Sequence, residues 1–176
     1  MAQYRKTPRA RFINSDYGDY FITLCTQNRK HYFGEIINSE MVLNEIGLFA
    51  YEQLSRSTEI CSYAKVLLFV VMPNHIHFIV SIKEYLNSND YEQRSLNPSL
   101  RGNPTCQRHV PTLSKFISSF KGAVTKYTKL LNIEFSWQSR YYDHLIRGVK
   151  DGNNISEYIL NNVVRWQQDC LNDDKV

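Results

Sequence analysis

The four cysteines, Cys25, Cys61, Cys106 and Cys170, are too scattered to define a site. No C-x-x-C pair occurs among them, so the sequence favours neither a disulfide framework nor a zinc ribbon. Cysteines in this pattern are typical of reduced thiols. We therefore expect a cytoplasmic protein.

Long apolar runs are also missing from the sequence. No stretch approaches the roughly 18 apolar residues that a membrane helix requires. The basic start, MAQYRKTPRARF, is not followed by an apolar segment, so it lacks the pattern of a secretory signal. We therefore expect no membrane partner.

The residues that are present suit one globular domain. The chain has 176 residues, of which 43% are hydrophobic and 22% are charged. A domain of this length buries roughly two-thirds of the surface that its unfolded chain exposes, so it needs no disulfides to fold. Twelve tyrosines stand against two tryptophans, which makes tyrosine the residue type with the most candidates for a special role.

The net charge of +4 conceals two strongly basic segments. Residues 1–11 carry four bases and no acid, and residues 112–150 carry seven bases and two acids. A solvated face explains a single cluster of charge equally well. Two separate basic segments, however, favour a polyanionic partner.

Hydrophobic periodicity predicts seven elements in the order β-α-β-β-α-β-α. Strands are predicted at residues 20–26, 62–71, 75–82 and 137–147, and helices at residues 39–56, 112–131 and 154–168. Ser39 is predicted to cap the first helix, and Asn154 or Ser156 the last. This order favours an α+β, ferredoxin-like sandwich with a mostly antiparallel sheet and helices on one face.

The same patterns divide the chain into one domain with extensions. A basic arm is expected at residues 1–19, a single domain at residues 20–170 and an acidic tail at residues 171–176. Residues 83–111 are polar and contain several prolines, which predicts a loop or insertion within the domain.

The sharpest local motif is His75-Ile76-His77, directly after a Pro-Asn turn. Side chains at i and i+2 of a strand point to the same face, so two imidazoles are presented together. A pair of satisfied core or surface histidines is the alternative. A metal site needs at least a third ligand, which this motif alone does not identify.

The last predicted helix carries Tyr158 and Asn162 at i and i+4, one turn apart on one face. Taken alone, Tyr158 could be an amphipathic core tyrosine with its hydroxyl at the surface. A phenol has a pKa of about 10 and is a poor nucleophile at neutral pH. A divalent ion and an electrophilic phosphodiester nearby would make it useful.

Three ordered motifs resemble a known family. VVMPNHIHFIV, WQSRYYDHLIR and ISEYILNNVVRW resemble the single-tyrosine HUH transposases of insertion sequences, and most closely the REP-associated tyrosine transposases. The resemblance extends from Tyr20 to about Trp166 and implies the HUH endonuclease fold.

The resemblance implies a role for individual residues. His75 and His77 match the metal ligands, Tyr158 matches the nucleophile, and Asn162 matches the position that completes the metal site. The family usually continues Asn-Pro, whereas this chain has Val163, a change that keeps the ligand type. Rival tyrosines remain, with Tyr127 in reserve as nucleophile and Tyr141 and Tyr142 as further candidates.

The implied chemistry is metal-dependent transposition. Mg²⁺ or Mn²⁺ would orient the scissile phosphate, and Tyr158 would form a 5′-phosphotyrosine and release a 3′-OH. The general base is not evident. Asp143 and His144 could support the site or contact DNA, and a structural role for both is an equal alternative.

The implied partner is single-stranded or hairpin DNA, so the protein would be nucleoid-associated when bound. The active form would be a monomer or a homodimer. Tyr141 and Tyr142 could stack on unpaired bases. The candidate phosphate-binding residues are basic side chains of the two basic segments: Arg5, Lys6, Arg9, Arg11, Lys115, Lys121, Lys126, Arg140 and Arg147.

Two other functions remain open from the sequence. One is a domesticated DNA-binding protein that keeps the fold without cleaving, for which Val163 is the local hint. The other is an unrelated metal-dependent phosphoesterase that uses the histidine pair and forms no covalent adduct.

Overall fold

The computed structural model describes residues 17–83 and 112–172. The predicted basic arm, with Arg5, Lys6, Arg9 and Arg11, lies outside the described residues except at its end. The predicted insertion beyond residue 83 and the last four residues of the predicted tail also lie outside them.

Six strands and four helices make up the described chain. The strands are β1 (Gly18–Cys25), β2 (Gly34–Ile37), β3 (Glu40–Leu43), β4 (Ala64–Val71), β5 (His75–Ile82) and β6 (Tyr142–Leu145). The helices are α1 (Glu45–Ser55), α2 (Ser57–Ile60), α3 (Thr112–Leu130) and α4 (Val149–Leu160).

The main sheet has the strand order β4-β5-β1-β6, and every neighbouring pair is antiparallel. The order confirms the predicted α+β, ferredoxin-like architecture with an antiparallel sheet. The two central strands, β1 and β5, pair along their full length, with Cys25 opposite His75 and Thr23 opposite His77. Residues that pair directly share a face of the sheet, so these four side chains lie on one side.

The two faces of the sheet bury different side chains. One face, with Ile22, Leu24 and Phe78, packs on α1 and α3 and holds the larger core. The other face carries a smaller cluster in which Phe21 and Ile79 meet Ile159 of α4. The expectation of helices on one face is therefore wrong in this detail, because α4 covers the second face. This second face also carries the histidine pair.

The first predicted helix begins too early. Asn38 and Ser39 have φ values of 51° and 64°, so they form the two-residue turn of a β2–β3 hairpin rather than a helix start. Asn44 caps α1 instead, because its side chain accepts a hydrogen bond from the backbone N–H of Gly47 at 3.0 Å.

The last predicted helix is displaced toward the N-terminus. Helix α4 follows Gly148, whose φ of 84° suits glycine, and neither Asn154 nor Ser156 caps it. It ends at Leu160, and a separate 3-10 turn occupies Trp166–Gln168. The chain turns back here because Asn162 and Trp166 are both buried against the sheet. The path of this turn decides which side chains reach the histidines.

Two further boundaries differ from the prediction. Strand β6 is confined to Tyr142–Leu145, and Trp137 instead forms an isolated bridge with Thr26. Leu171 and Asn172 are buried, so the packed body extends into the predicted tail. Among the described residues, no helix combines the length and the apolar character needed to cross a bilayer.

Candidate metal centre and nucleophile

The centre of the candidate site is the histidine pair at the start of β5. His75 and His77 are 0% and 2% exposed, and their ring centroids lie 4.5 Å apart. Phe21 stacks on His77 at 5.3 Å, and Trp166 lies 6.0 Å from His75. The strand period therefore places both imidazoles in one dry pocket beneath α4 and the C-terminal turn.

The hydrogen bonds of His75 fix the direction of its free lone pair. Asn74 donates through Nδ2 to the carbonyl of Leu171 at 2.9 Å, so its Oδ1 is the acceptor that faces His75 Nδ1 at 2.8 Å. The ring proton consequently lies on Nδ1, and Nε2 carries the lone pair. A backing hydrogen bond of this kind orients metal-ligating histidines.

His77 is held in the same way by two hydroxyl groups. Its Nδ1 lies 2.8 Å from Thr23 Oγ1, and its Nε2 lies 3.2 Å from the Tyr158 hydroxyl oxygen. In the tautomer that leaves Nε2 able to bind a metal, the ring donates from Nδ1 to Thr23 and the Tyr158 hydroxyl donates to Nε2. The nucleophile candidate thus contacts the atom of His77 that a metal would bind.

A carboxylate that the sequence reasoning missed completes the cluster. Ligand atoms of His75, His77 and Asp169 all lie within 4.8 Å of one another, and the Asp169 side chain is only 4% exposed. Its Oδ1 accepts the backbone N–H of Leu171, while its Oδ2 lies 3.8 Å from His75 Nε2. The sequence signal was an acidic residue directly after the last predicted helix.

Orphaned polar atoms indicate that this cluster fits a cation. Within residues 17–83 and 112–172, His75 Nε2, Asn162 Oδ1 and Asp169 Oδ2 are buried and have no hydrogen-bond partner. Buried polar atoms without partners are costly unless another group satisfies them. Two imidazole nitrogens, a carboxylate oxygen and an amide oxygen form a donor set that suits a divalent ion. Asn162, expected as a ligand, is buried and influences the pKa of His75, in spite of Val163.

Burial keeps both imidazoles neutral. It lowers the pKa of His77 to about 3. Burial also lowers the pKa of His75 well below its usual range. Electrostatic repulsion that a protonated His75 would meet from His77 and Arg29 adds to this effect, and the Asn162 side chain partly opposes it. Metal ions bind neutral imidazole, so protons compete weakly for this site near neutral pH.

The buried histidines should make the metal-free protein labile to acid. Between the ordinary pKa of 6.5 and about 3, the unfolded chain binds a proton that folded His77 does not, so stability falls as the pH falls. From pH 7.5 to pH 5, we expect His77 alone to lower the free energy of unfolding by about 2 kcal/mol. Urea unfolding with chelator measures this, and His77→Gln should flatten the dependence; an equally steep curve in that variant would contradict the assignment.

Asp169 can be tested as a ligand by its effect on metal affinity. Asp169→Asn should weaken Mn²⁺ binding by roughly 10- to 100-fold, because an amide replaces the one anionic donor. Electron paramagnetic resonance of free Mn²⁺ measures the affinity. Glu157→Gln removes an equal charge from an exposed position of α4 and serves as the control. Equal affinities of the two variants would remove Asp169 from the site.

Tyr158 lies where α4 ends, beside the cluster. It is 39% exposed, its ring lies 5.2 Å from that of His77, and Phe21 contacts it edge-on at 6.1 Å. Phe21 makes a similar contact with Tyr142, which is 47% exposed. Tyr158 is therefore accessible from outside while its hydroxyl points inward.

The rival tyrosines occupy other positions. Tyr127 lies on α3 at the opposite face of the sheet, where it stacks on Phe49 and donates to Glu45 at 2.8 Å. Tyr141 lies 3.2 Å from the Ser114 hydroxyl and packs against the larger core. The sheet thus separates Tyr127 from the histidine pair, and Tyr142 is the rival that shares the site's face.

The predicted DNA contacts that lie within the described residues are on α3 and next to β6. Lys115, Lys121 and Lys126 lie on α3, away from the histidine face, and Lys121 Nζ already donates to the Gln138 carbonyl at 2.8 Å. Arg140 and Arg147 are exposed. Their contacts with phosphate stay predictions.

The two candidate supporting residues of β6 face opposite ways. His144 pairs with Phe21 and lies on the site's face, where its Nε2 is 2.9 Å from an Asp151 carboxylate oxygen. Asp143 pairs with Ile22 and lies on the other face. His144 therefore shares a face with the cluster but is engaged with α4, and Asp143 is directed away.

No family model matches the chain. A protein of Haemophilus influenzae (strain ATCC 51907 / DSM 11121 / KW20 / Rd), described as uncharacterized, is 33% identical over 171 residues, which are 96% of this chain and 93% of that protein. The solved structure of a REP-associated tyrosine transposase bound to a REP hairpin aligns with 94% of this chain and 74% of its own, at 19% identity and a TM-score of 0.52. This likeness confirms the sequence resemblance at the level of the fold.

Proposed function

The chain belongs to the same family as the Haemophilus influenzae protein and shares the fold of a tyrosine transposase, and from this premise we propose that it is a metal-dependent DNA endonuclease and strand transferase. One observation carries the proposal. The Tyr158 hydroxyl lies 3.2 Å from His77 Nε2, at the edge of a buried cluster. In that cluster, His75 Nε2, Asn162 Oδ1 and Asp169 Oδ2 have no hydrogen-bond partner among the described residues. A nucleophile beside a cation site is the arrangement that phosphoryl transfer requires.

His75, His77, Asp169 and Asn162 would hold the ion. When bound, a divalent ion supplies a Lewis acid that polarises a phosphodiester and favours the ionised form of a nearby hydroxyl. The backing hydrogen bonds from Asn74 and Thr23 keep both Nε2 atoms aimed at one point. Mg²⁺ and Mn²⁺ both remain proposed ions, and the imidazole pair favours Mn²⁺ of the two.

Tyr158 would perform the covalent step. Its hydroxyl oxygen attacks the phosphorus of a DNA strand and loses its proton, and the bond from phosphorus to the 3′ oxygen breaks. The products are a 5′-phosphotyrosine on one fragment and a 3′-OH on the other, which takes up a proton. The covalent link keeps the phosphate activated, so the 3′-OH of another strand can reverse the step and complete strand transfer.

The substrate is proposed to be single-stranded DNA beside a hairpin. Tyr158 lies at a helix end against the sheet, and a phosphate must approach to contact distance of its inward-pointing hydroxyl. A strand outside a duplex reaches such a pocket more readily than paired DNA does. The fold neighbour is described in complex with a REP hairpin, and this supports testing hairpin substrates first.

The test is a search for the covalent adduct. A library of hairpin oligonucleotides with random flanks, labelled at the 3′ end, is incubated with the protein and Mn²⁺. The labelled fragment should migrate with the protein in denaturing gels, and mass spectrometry after nuclease digestion should place a nucleotide on Tyr158. Omitting the metal should abolish the labelled protein.

Two results would contradict the proposal. Hairpin binding with no adduct in Mn²⁺ would favour a non-cleaving DNA-binding protein. Cleavage that yields free 5′-phosphate ends, and that Tyr158→Phe leaves unchanged, would favour a phosphoesterase that uses the histidine pair.

A further inference from the structure

The loop after β1 has an unusual backbone beside the candidate site. Asn28 and Arg29 both have φ of 53°, in the left-handed region. Asparagine tolerates this region, whereas arginine does so at a cost. Strained residues persist where the surroundings hold them, and they concentrate at functional sites.

The loop is tied to the residue that precedes the histidine pair. Thr26 is fully buried, and both its backbone N–H and its hydroxyl donate to the Asn74 carbonyl at 2.9 Å. Its hydroxyl also lies 2.8 Å from the Lys30 carbonyl, which closes the loop. Gln27 adds a backbone hydrogen bond to Ser136 at 2.8 Å. The position of Arg29 is consequently fixed relative to His75.

The Arg29 side chain has one buried end. Its Nη1 atom is buried, although the residue as a whole is partly exposed. Burial raises the pKa of the Cys25 thiol, and the positive charge of Arg29 partly opposes this effect. The same charge contributes to the lowered pKa of His75. Cys25 and His75 pair in the sheet and share the face of the cluster. A guanidinium group with a buried nitrogen thus lies on a loop that is held next to the start of β5, where the histidine pair lies.

We propose that Arg29 binds a non-bridging oxygen of the phosphate that Tyr158 attacks. The inference rests on the proposed function and names a further residue of the same site. A guanidinium presents paired N–H donors in a fixed fork that matches phosphate geometry. It would stabilise the negative charge that increases on the phosphate oxygens as the tyrosine attacks. The neighbouring Lys30 differs, because it is exposed.

Binding of a simple phosphodiester tests the inference without cleavage. The probe is the dinucleotide thymidylyl-thymidine, whose ³¹P signal is broadened by Mn²⁺ held nearby in the protein. The Arg29→Gln variant should bind the dinucleotide roughly tenfold more weakly than the wild type. The affinity of the variant for Mn²⁺ should stay within twofold of the wild-type value. Arg29→Lys should recover part of the loss. Lys30→Gln removes the same charge from the same loop and is the matched control.

The outcomes separate the inference from the function on which it rests. Broadening that is equal in Arg29→Gln and wild type overturns the role of Arg29 and leaves the proposed function standing. The His77→Gln variant gives the background broadening caused by unbound Mn²⁺. If the wild-type protein broadens the signal no more than this background, its site binds no phosphodiester, and both the role of Arg29 and the proposed function fail.

Cleavage kinetics supply a second, independent arm. On the oligonucleotide selected by adduct formation, Arg29→Gln should slow a single turnover by about 100-fold. The same oligonucleotide is then made with an uncharged methylphosphonate at the scissile position. On this substrate Arg29→Gln should be slower than the wild type by about threefold or less, since the charge that Arg29 neutralises is gone. A deficit of the same size on both substrates indicates that Arg29 only maintains the fold of the loop, and overturns the inference.

Discussion

Tyr158→Phe should abolish the protein–DNA adduct and lower the rate of strand cleavage by roughly 10³-fold or more. The substitution removes only the hydroxyl oxygen that faces His77 at 3.2 Å, while the ring keeps its edge contact with Phe21. Mn²⁺ affinity should change little, because the phenol is not counted among the four proposed ligands. The measurements are the single-turnover rate on a 3′-labelled hairpin and the labelled band in a denaturing gel.

Two tyrosine variants control for the loss of a hydroxyl group. Tyr51→Phe alters an exposed ring that contacts Phe69 and should keep the wild-type rate. Tyr127→Phe tests the reserve nucleophile and should also form the adduct, because Tyr127 is bonded to Glu45 on the other face. Loss of the adduct in Tyr127→Phe but not in Tyr158→Phe would overturn the assignment of the nucleophile.

His77→Gln should cost about as much activity as the loss of Tyr158, but for a different reason. Glutamine keeps a similar volume and removes the Nε2 lone pair, so Mn²⁺ affinity should fall by at least about 100-fold. Cleavage at a fixed low metal concentration should fall with it by about 10³-fold. Excess Mn²⁺ should restore part of the rate, whereas it should restore none in Tyr158→Phe. Titrations of the rate with Mn²⁺ distinguish the two variants.

The stability of the metal-free protein separates a lost ligand from a lost fold. The His77→Gln variant should unfold at a urea concentration close to that of the wild type at pH 7.5, since the group it replaces is neutral there. Thr128→Val is the matched control, because Thr128 is 1% exposed on the face away from the site and donates to the Thr125 carbonyl. It should lower stability by about 1 kcal/mol and leave Mn²⁺ affinity unchanged. A wild-type Mn²⁺ affinity in His77→Gln would mean that the histidine pair is not the metal site.

Sequence patterns predicted the bounds of those strands and helices that begin and end at local signals, such as a turn or the end of an apolar stripe. Strand β5 was predicted with its observed bounds, because a Pro-Asn turn precedes a run rich in isoleucine, valine and phenylalanine. Helix α3 was predicted to within one residue, since its apolar stripe repeats at helical spacing from Leu113 to Val124. Helix α1 was placed too early because its apolar spacing continued back through β3, and the two-residue turn at Asn38 and Ser39 was not recognised as a hairpin.

The sequence by itself determined that two imidazoles share one face of a central strand, because the side-chain period of a strand is two residues whatever surrounds it. The place of the third donor could only come from the tertiary structure. Asp169 lies 92 positions after His77, and its carboxylate arrives because α4 ends at Leu160 and Trp166 packs over His75. Where a helix stops and which way the chain then turns depend on burial against other elements rather than on local propensity. The same dependence applies to Arg29, whose loop is held next to the start of β5 by the hydrogen bond from Thr26 to Asn74.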